Sequence, residues 1–393
     1  MVTPLQTAKL GELVTFKTGK LDSNAAVPDG DYHFFTCSQE TLRTNTYSFD
    51  TECVLLAGNN ANGIFPLKYF KGKFDAYQRT YVVRPRDTNV LTTKFLYYAL
   101  RLKLSEFRSF STGAATKFLT LTILNETEIQ APPLPVQQRI ADILSAYDEL
   151  IENSQRRIKI LESMARALYR EWFVHFRFPG HEHHPRVASP LGEIPQGWEV
   201  KKLCDLISID KGVSYNGAGL TAGGNPMVNL KNIMAGGGFR RDATKPYSGA
   251  FKPRHTVKPG DIVLANTDLT QAGNVVASAA LIPRFADDRP ILISHHLFAV
   301  RLSEDLPASF IYHLLLEDGF RGFAKGYAIG TTVLGLPKEG VLNFTFALAS
   351  ENLIGDFVKH AAPMHQLIEM LLEKKENLRR TRDLLLPRLL SGQ

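Results

Sequence analysis

Apolar residues follow two different periods along this chain, and the two periods alternate. Residues 1–134 and 194–348 contain short apolar runs that are rich in β-branched and aromatic residues and are broken by Gly, Asn and Pro. Examples are VLLAGNNANGIFPLKYF (54–70) and DIVLANTDLTQAGNVV (261–276). Runs of this length bounded by turn residues are typical of short strands with irregular loops. Each of the two regions is therefore predicted to be a mixed, mainly β domain.

The regions that follow them, 135–177 and 349–393, have a helical period instead. Their apolar residues recur in the alternating four-and-three spacing of a coiled-coil seam. The seam positions are Ile140, Leu144, Tyr147, Ile151, Ile158, Leu161, Leu168 and Trp172 in the first region, and Phe357, Met364, Ile368, Leu371, Leu378 and Leu385 in the second. Pro363 is predicted to start or kink the second helix, and Pro387 is predicted to end it.

An apolar stripe of this length needs a partner. The first alternative is that each helix packs on its own β domain, which is usual for a single amphipathic helix. However, a helix of roughly 33 residues is about 50 Å long and outreaches a domain of this size. We therefore predict that the two helices pair with each other as an antiparallel coiled coil.

The same order of elements occurs twice along the chain. Similar segments are LGELVTFKTG (10–19) and LCDLISIDKG (203–212), VLLA (54–57) and IVLA (262–265), YVVR (81–84) and FAVR (298–301), FLYYAL (95–100) and FIYHLL (310–315), and RIADIL (139–144) and LIGDFV (353–358). The repeat predicts an α+β chain with two mixed, mainly β domains, each followed by a long helix. Residues 178–193, rich in Pro, Gly and His, are predicted to be a linker between the two halves.

Composition adds a mild charge signal. The chain has 46 Lys and Arg against 39 Asp and Glu, a net charge of +7, which favours a polyanionic partner such as nucleic acid, although many basic proteins bind none.

Its cysteines, Cys37, Cys53 and Cys204, form no CxxC pair, which argues against a zinc site and a disulfide framework. Residues 1–13 lack the pattern of a signal peptide, and no apolar run is long enough to span a bilayer. We therefore expect a cytoplasmic protein without a membrane partner.

The sequence offers little chemistry of its own. It contains no (N/D/S)PP(Y/F/W) tetrapeptide of an adenine methyltransferase, for which APPL (131–134) is the nearest string, and no GxxxxGK[ST] phosphate loop. ExK strings at 199–201 and 373–375 are better explained by chance than by a nuclease site. The cluster of His181, His183 and His184 is better explained as a solvated linker than as a metal site. No catalytic residue and no metal site are therefore predicted.

Taken together, these features resemble one protein family. PPLPVQQRIADILSAYDELIENSQRRIKILESMARALYREWF (132–173) resembles the central conserved region of the specificity subunits of type I restriction-modification systems, and LRRTRDLLLPRLLSG (378–392) resembles their C-terminal region. STGAATKFLTL (111–121) and IGTTVLGLP (329–337) resemble the loop that closes each target-recognition domain of the family, and PQGWEVKKL (195–203) resembles the beginning of the second domain. The chain departs from the family at Val136, which replaces an acidic residue, and at FALASENLIGDFV (346–358), which replaces a proline-rich segment.

The resemblance implies a non-catalytic specificity subunit. Each target-recognition domain would read one half of a bipartite site in double-stranded DNA, and the helices would set the unspecified spacer. Two modification (methyltransferase) subunits would dock on the helical regions, and restriction (translocase and nuclease) subunits would join them. The assembled complex would be a type I site-specific deoxyribonuclease and adenine-N6 DNA methyltransferase. No cofactor is expected on this chain, whereas S-adenosylmethionine, ATP and Mg²⁺ are expected on the partner subunits.

Other functions stay open at this point. The chain could be an orphan specificity protein, a methyltransferase or nuclease with its own recognition domains, or a coiled-coil adaptor without a role on DNA. Methyl transfer by the purified chain would indicate the enzyme, and the absence of salt-dependent DNA binding would indicate the adaptor.

Residues for reading DNA are expected on loops, where Arg pairs with guanine and Asn or Gln with adenine. The candidates in the first half are Lys17, Lys20, Asn24, Asn59, Asn60, Asn62, Arg79 and Lys117, and those in the second are Lys211, Tyr215, Asn216, Asn229, Lys231, Asn232, Arg240, Arg241, Asn266, Thr267, Gln271 and Asn274. We expect about a third of them to contact DNA, since loop Asn and Lys often serve turns and solvent. Thr116 and Lys117, with Thr331 and Thr332, are assigned to phosphate positioning because they lie in the two similar Gly/Thr loops.

Overall fold

The chain forms two compact units in a computed structural model that describes residues 6–61, 63–113, 116–285, 288–303 and 306–391. Unit 1 comprises residues 1–155 and 373–393, and unit 2 comprises residues 156–372. These units do not follow the two halves of the sequence, because each of the two long helices contributes residues to both.

The described part of unit 1 contains ten strands, and six of them form one sheet. The strands of the unit are β1 (Gln6–Lys9), β2 (Val14–Thr18), β3 (Tyr32–Phe35), β4 (Leu42–Thr44), β5 (Phe49–Ala57), β6 (Asn59–Asn60), β7 (Leu67–Ala76), β8 (Thr80–Pro85), β9 (Lys117–Phe118) and β10 (Glu128–Ala131), and its shorter helices are α1 (Leu10–Leu13), α2 (Thr93–Phe110) and α3 (Leu121–Glu126). The sheet has the strand order β2-β8-β5-β7-β3-β4, and β3 runs parallel to β7 while the other neighbours are antiparallel. Separately, β1 pairs with β10 and β6 pairs with β9.

The first long helix, α4 (Leu134–Tyr169), follows β10 and passes from unit 1 into unit 2. The strands of unit 2 are β11 (Arg186–Ser189), β12 (Gly192–Pro195), β13 (Glu199–Lys202), β14 (Ile207–Lys211), β15 (Asn225–Val228), β16 (Lys245–Tyr247), β17 (Thr256–Val257), β18 (Ile262–Ala265), β19 (Thr267–Asp268), β20 (Ala279–Leu281), β21 (Ile291–Ile293), β22 (Leu297–Leu302), β23 (Leu334–Gly335) and β24 (Thr345–Leu348). Its shorter helices are α5 (Ala308–Leu316), α6 (Asp318–Gly326) and α7 (Glu339–Leu342), and the second long helix is α8 (Glu351–Leu390).

The two units share one strand topology. In unit 2 the strands β14-β22-β18-β20 form an antiparallel sheet in the order that β2-β8-β5-β7 take in unit 1. The segments that are similar in sequence pair alike, since Val54 lies opposite Val83 in unit 1 and Ile262 lies opposite Val300 in unit 2. The pairs β13–β24 and β19–β23 repeat the pairs β1–β10 and β6–β9. The predicted repeat of two mixed β domains, each followed by a long helix, is confirmed.

The two long helices pair in opposite directions in unit 1. Ile140 and Leu144 of α4 belong to the same buried cluster as Leu386 and Leu390 of α8, whereas further along α4 the Gln155 Oε1 accepts a hydrogen bond of 2.8 Å from Lys375 Nζ. In unit 2 the ring of Trp172, one turn beyond α4, contacts the ring of Phe357 near the start of α8. None of the predicted seam residues is exposed. The antiparallel pairing predicted from the four-and-three spacing is therefore confirmed.

The predicted end of the second long helix at Pro387 is wrong, since α8 continues to Leu390. Pro363 does not start α8, which begins at Glu351, and the alternative of a kink at Pro363 stays a prediction. Leu386 and Leu390 are each only 6% exposed in the core of unit 1. Their burial favours a further turn of helix at the cost of one backbone hydrogen bond at Pro387.

The end of α4 departs from the regular seam. Residues Arg170–Val174 form a π-helical turn, and Tyr169 is 1% exposed in the core of unit 2, whereas its neighbour Leu168 is only partly buried. A π turn adds one residue to the helical repeat and thereby rotates the following side chains. The aromatic residues that follow, Trp172 and Phe173, consequently both reach the core.

Residues 178–193, for which a linker is predicted, include the strand β11 and the beginning of the β11–β12 hairpin. Phe178 is buried and stacks on Trp198 with ring centroids 5.8 Å apart, which ties the segment to the core of unit 2. In the histidine cluster, the His181 Nδ1 lies 2.9 Å from the Phe178 carbonyl oxygen, and the His184 Nε2 lies 2.8 Å from the Gln196 carbonyl oxygen. Across the residues that the structure describes, no three His, Cys, Asp or Glu side chains are grouped to hold a metal ion, and no helix is long and apolar enough to cross a membrane.

Candidate nucleic-acid interface

In unit 1 the Gly/Thr loop pairs with the loop that follows β5. Asn59 lies opposite Phe118 and Asn60 opposite Lys117 in the antiparallel β6–β9 pair. The Arg79 guanidinium lies over the Phe118 ring, 5.6 Å from its centroid, and the Arg79 carbonyl accepts a hydrogen bond of 2.8 Å from Gly58 N. Four residues predicted separately from the sequence, Asn59, Asn60, Arg79 and Lys117, are thus brought to one place.

Arg108, which the sequence analysis missed, joins this group. Gly63 has a φ of +66°, and a side chain there would come within 3.2 Å of Arg108 Cγ and 3.3 Å of Lys117 Cγ. Gly63 therefore allows the loop to lie directly against two cationic side chains. In the same group the Asn59 Oδ1 is buried and has no hydrogen-bond partner among the described residues.

The other candidates of unit 1 lie near the joined loops, except for one that is not among the described residues. Lys17, at the end of β2, and Lys20 and Asn24, which follow it, are exposed. The segment after β2 runs beside the turn that carries Arg79, because Leu21 N donates to Ala76 O and Gln78 N donates to Leu21 O. Thr116 is partly buried next to β9, and Asn62 lies outside the described residues.

In unit 2 the corresponding loops are joined in the same way. Thr267 lies opposite Gly335 and Asp268 opposite Leu334 in the β19–β23 pair. Gln271 Nε2 also donates a hydrogen bond to the carbonyl of Thr331, which links loop 268–276 to loop 329–335. Thr331 and Thr332 are exposed at the tip of the second loop, and Asn274 is exposed on the first.

Asp268 holds loop 268–276 in shape. Its carboxylate is 3% exposed and accepts hydrogen bonds from Thr270 N (2.9 Å), Thr270 Oγ1 (2.8 Å), Val275 N (2.7 Å) and Val276 N (3.4 Å). Burial alone would raise the pKa of Asp268, but these hydrogen bonds outweigh it and hold the pKa below its ordinary value. The loop that presents Gln271 and Asn274 is therefore organised by one ionised side chain.

We expect Asp268→Asn to loosen this loop by about 2 kcal/mol, because an amide NH₂ would face backbone N–H donors that now bind a carboxylate. The Val275 and Val276 amides should exchange with solvent faster in the variant. Because the folded pKa is depressed, the stabilisation in the unmodified chain is fully present above the pKa of the unfolded chain and is lost as the pH falls through the folded value. Asp242→Asn, at an exposed carboxylate, is the matched control, and equal exchange rates in the two variants would contradict the assignment.

Three predicted base readers of unit 2, Asn229, Asn232 and Asn266, use side-chain polar atoms within the fold. Asn229 and Asn232 are buried, and Asn232 Oδ1 accepts from Asn229 N while its Nδ2 donates to Arg240 O (2.7 Å) and Thr244 Oγ1 (2.9 Å). Asn266 is also buried, since its Nδ2 donates to His295 O and its Oδ1 accepts from Thr267 Oγ1. These hydrogen bonds give the three side chains a role in shaping the loops, and their contact with DNA stays a prediction.

The remaining candidates of unit 2 are mostly on the surface. Lys211, Asn216, Lys231 and Arg240 are exposed. Tyr215 is partly buried, with Lys245 Nζ 3.3 Å from its hydroxyl. Arg241 is partly buried, and its Nη1 donates a hydrogen bond of 2.9 Å to the Arg284 carbonyl.

Comparisons with known proteins find similarity to specificity subunits of type I restriction enzymes. Residues 4–163 match the family model described as the type I restriction modification DNA specificity domain. The chain is 38% identical over 154 residues to the type I restriction enzyme EcoDI specificity subunit of Escherichia coli, which covers 39% of this chain and 33% of that protein. It is 26% identical over 343 residues to the MjaVIII specificity subunit of Methanocaldococcus jannaschii, which covers 86% of this chain and 78% of that protein. The chain thus spans about a third of the length of the Escherichia coli relative.

A solved structure shares the fold. The crystal structure of the S subunit of a type I restriction-modification system from M. genitalium matches with a TM-score of 0.62 at 17% identity, over 98% of this chain and 96% of that chain. The match supports the fold of two domains and two long helices.

Proposed function

We propose that this chain is a specificity subunit of a type I restriction-modification system and that it reads DNA sequence on behalf of such a complex. Each β domain would recognise one half of a bipartite site in double-stranded DNA, and the paired helices would set the spacer between the halves. The target-recognition loops would be the joined loops of each unit, at Asn59, Asn60, Arg79 and Lys117 in unit 1 and at loops 268–276 and 329–335 in unit 2.

The observation that carries the proposal is the repeated loop pair. Both units close the end of their sheet with a two-stranded pair between the recognition loop and the Gly/Thr loop. The residues at this place differ completely, with Asn59 and Asn60 in unit 1 and Thr267 and Asp268 in unit 2. A common scaffold with different loop chemistry is what two readers of unlike half-sites require.

The chemistry would reside on other subunits. We propose that modification subunits binding S-adenosylmethionine dock on the helical regions, and that restriction subunits requiring ATP and Mg²⁺ join the assembly in the cytoplasm. This chain would contribute base recognition and spacing and no bond-breaking step. Methyl transfer by the purified chain alone would favour the alternative of an enzyme with its own recognition domains.

Mapping of modified adenines tests the proposal directly. A host that carries the gene with its modification partner should show methylation at one bipartite motif, and the motif should vanish when the gene is deleted. Substitution of Asn59 and Asn60 by alanine should relax the first half of the motif and leave the second half intact. Relaxation of both halves alike would contradict the assignment of one half-site to each unit.

The role of the helices predicts a change in the spacer. Seven helical residues inserted after Gln155 and seven after Leu372, where the chain passes between the units, preserve the four-and-three spacing of the seam. Seven residues add about 10 Å of helix, and a base pair rises about 3.4 Å, so the spacer should lengthen by about three base pairs. Methylome mapping of the variant measures this change.

The control places the same seven residues in the turn of the β11–β12 hairpin, next to the exposed Leu191. This insertion leaves both long helices unchanged, and the original spacer should persist. Two intact half-sites at the original spacer in the helix variant would show that the helices do not set the distance.

A further inference from the structure

A polar cavity in unit 2 lies outside the joined loops. It has a volume of about 460 Å³ and is lined by residues 210–214, Arg254, His255 and Lys338. Three separate segments build it, namely the end of β14, the turn Pro253–His255 and the residue that precedes α7.

The carboxylate in the cavity wall is already neutralised. Asp210 Oδ2 lies 3.1 Å from Arg301 Nε, and Arg301 also pairs with Asp261 at 3.5 Å. Arg301 Nη2 donates to the carbonyls of Arg254 (3.0 Å) and Thr256 (2.9 Å), which holds the turn in place. Asp210 and Asp261 are therefore both paired with Arg301, which does not itself line the cavity.

Three cations of the cavity wall lack such a partner. Lys211, Arg254 and Lys338 form no ion pair with any carboxylate of the described residues. Lys338 Nζ is fixed by a hydrogen bond of 2.9 Å to the Ile209 carbonyl, which keeps its charge at the wall. Burial lowers the pKa of His255, and the neighbouring charges of Arg254 and Lys252 lower it further, which agrees with a positive potential at this place.

A series of residue interactions connects the cavity wall with the joined loops. Lys211 ends β14, and its charge helps to lower the pKa of His296, after burial and His295. His296 Nδ1 in turn lies 3.2 Å from Thr267 Oγ1, at the first residue of β19. In unit 1, Thr18 ends β2 where Lys211 ends β14, beside the exposed Lys17, and Thr120 precedes α3 where Lys338 precedes α7.

We propose that this cavity binds a phosphate group, supplied by the DNA backbone beside the second half-site. The DNA source rests on the proposed function, whereas the phosphate chemistry rests on the cavity alone. Two ammonium groups and a guanidinium fork around a recess suit a tetrahedral oxyanion, because Arg can bind two of its oxygens and Lys supplies point charge. A backbone phosphate held here positions the duplex on unit 2 without specifying its bases.

Inorganic phosphate tests the cavity itself. NMR titration of the His255 ring in the full chain should show a higher pKa when phosphate is added, because a bound anion favours the imidazolium. Lys211→Gln should abolish this upward shift, and Lys359→Gln, at an exposed lysine on α8, should retain it. An unchanged His255 titration in the wild-type chain would overturn the phosphate site.

Salt-dependent DNA binding tests the source of the phosphate. Lys211→Gln combined with Arg254→Gln should weaken binding about three- to tenfold for all DNA sequences alike and reduce the slope of log K against log salt by about 0.9 for one lost phosphate contact. Lys211→Arg combined with Arg254→Lys keeps both charges and should restore the slope. If phosphate raises the pKa of His255 but the double variant leaves the salt dependence of DNA binding unchanged, the DNA source is overturned in favour of a free phosphate compound. No DNA binding by the wild-type chain would refute the proposed function, while the His255 titration would still decide the cavity.

Discussion

Replacement of Phe357 by alanine is expected to destabilise unit 2 by about 3–5 kcal/mol, the usual cost of deleting a fully buried ring. Phe357 is 0% exposed, and its ring lies 5.3 Å from that of Phe173 and 5.6 Å from those of Tyr169 and His313. It therefore joins the start of α8 to the end of α4 and to α5. The surrounding rings cannot all collapse into the space, because each is held by other aromatic neighbours.

Tryptophan fluorescence during urea unfolding measures this effect, because both tryptophans of the chain, Trp172 and Trp198, belong to unit 2. Met370→Ala is the control on the same helix, since Met370 is 65% exposed and its loss should change the free energy of unfolding by less than about 0.5 kcal/mol. Equal midpoints for the two variants would show that Phe357 does not organise this core.

The variant Asp148→Ala is expected to destabilise unit 1 by about 2–4 kcal/mol, because it removes the Asp148 carboxylate. Asp148 accepts hydrogen bonds from Arg382 Nη1 at 2.5 Å and from Tyr98 Oη at 2.8 Å, and thereby joins α4 to α8 and to α2. The Arg382 side chain is only 9% exposed, so the variant leaves a nearly buried charge whose remaining ion-pair partner among the described residues is the exposed Asp383. Since the Asp148 side chain is itself 28% exposed, water can replace part of the contact, which keeps the cost below that of a fully buried pair.

A double-mutant cycle separates the pair from its surroundings. Asp148→Leu combined with Arg382→Met should recover part of the loss, because an apolar pair leaves no buried charge. Amide hydrogen exchange in unit 1 reports the free energy of opening for each variant. The surface pair of Lys9 and Glu126 is the control, since both side chains are about half exposed and Glu126→Gln should cost less than about 1 kcal/mol. Strictly additive losses at Asp148 and Arg382 would argue against their coupling.

The sequence predicted the repeat and the helix seam because both signals are local and periodic. No predicted seam residue from Ile140 to Leu385 is exposed, since alternation of four and three places residues on one face whatever the partner is. The burial of Phe173 next to Trp172 escaped prediction because the π turn Arg170–Val174 changes the helical period there. The behaviour of Pro387 escaped it because the burial of Leu386 and Leu390 is decided by tertiary contacts.

The candidate interface was predicted only in part, for a chemical reason. A loop asparagine that reads a base and one that satisfies a turn have the same side chain and similar neighbours in sequence. Asn59 and Asn232 are an example, because Asn59 Oδ1 has no partner in the described part of the chain whereas Asn232 is fully engaged. The phosphate cavity combines residues 210–214, 253–255 and 338, which no local pattern connects.

The antiparallel pairing of the long helices also dictates an order of folding during synthesis. Unit 2 is continuous in sequence, from residue 156 to 372, and can close its core as soon as it has left the ribosome. Unit 1 completes its core only with residues 373–391, since Asp148 and Arg382 are 234 positions apart and Ile140 and Leu144 share their cluster with Leu386 and Leu390. A nascent chain therefore carries an incomplete N-terminal core through most of its translation, which favours chaperone binding or early capture by a partner at that surface.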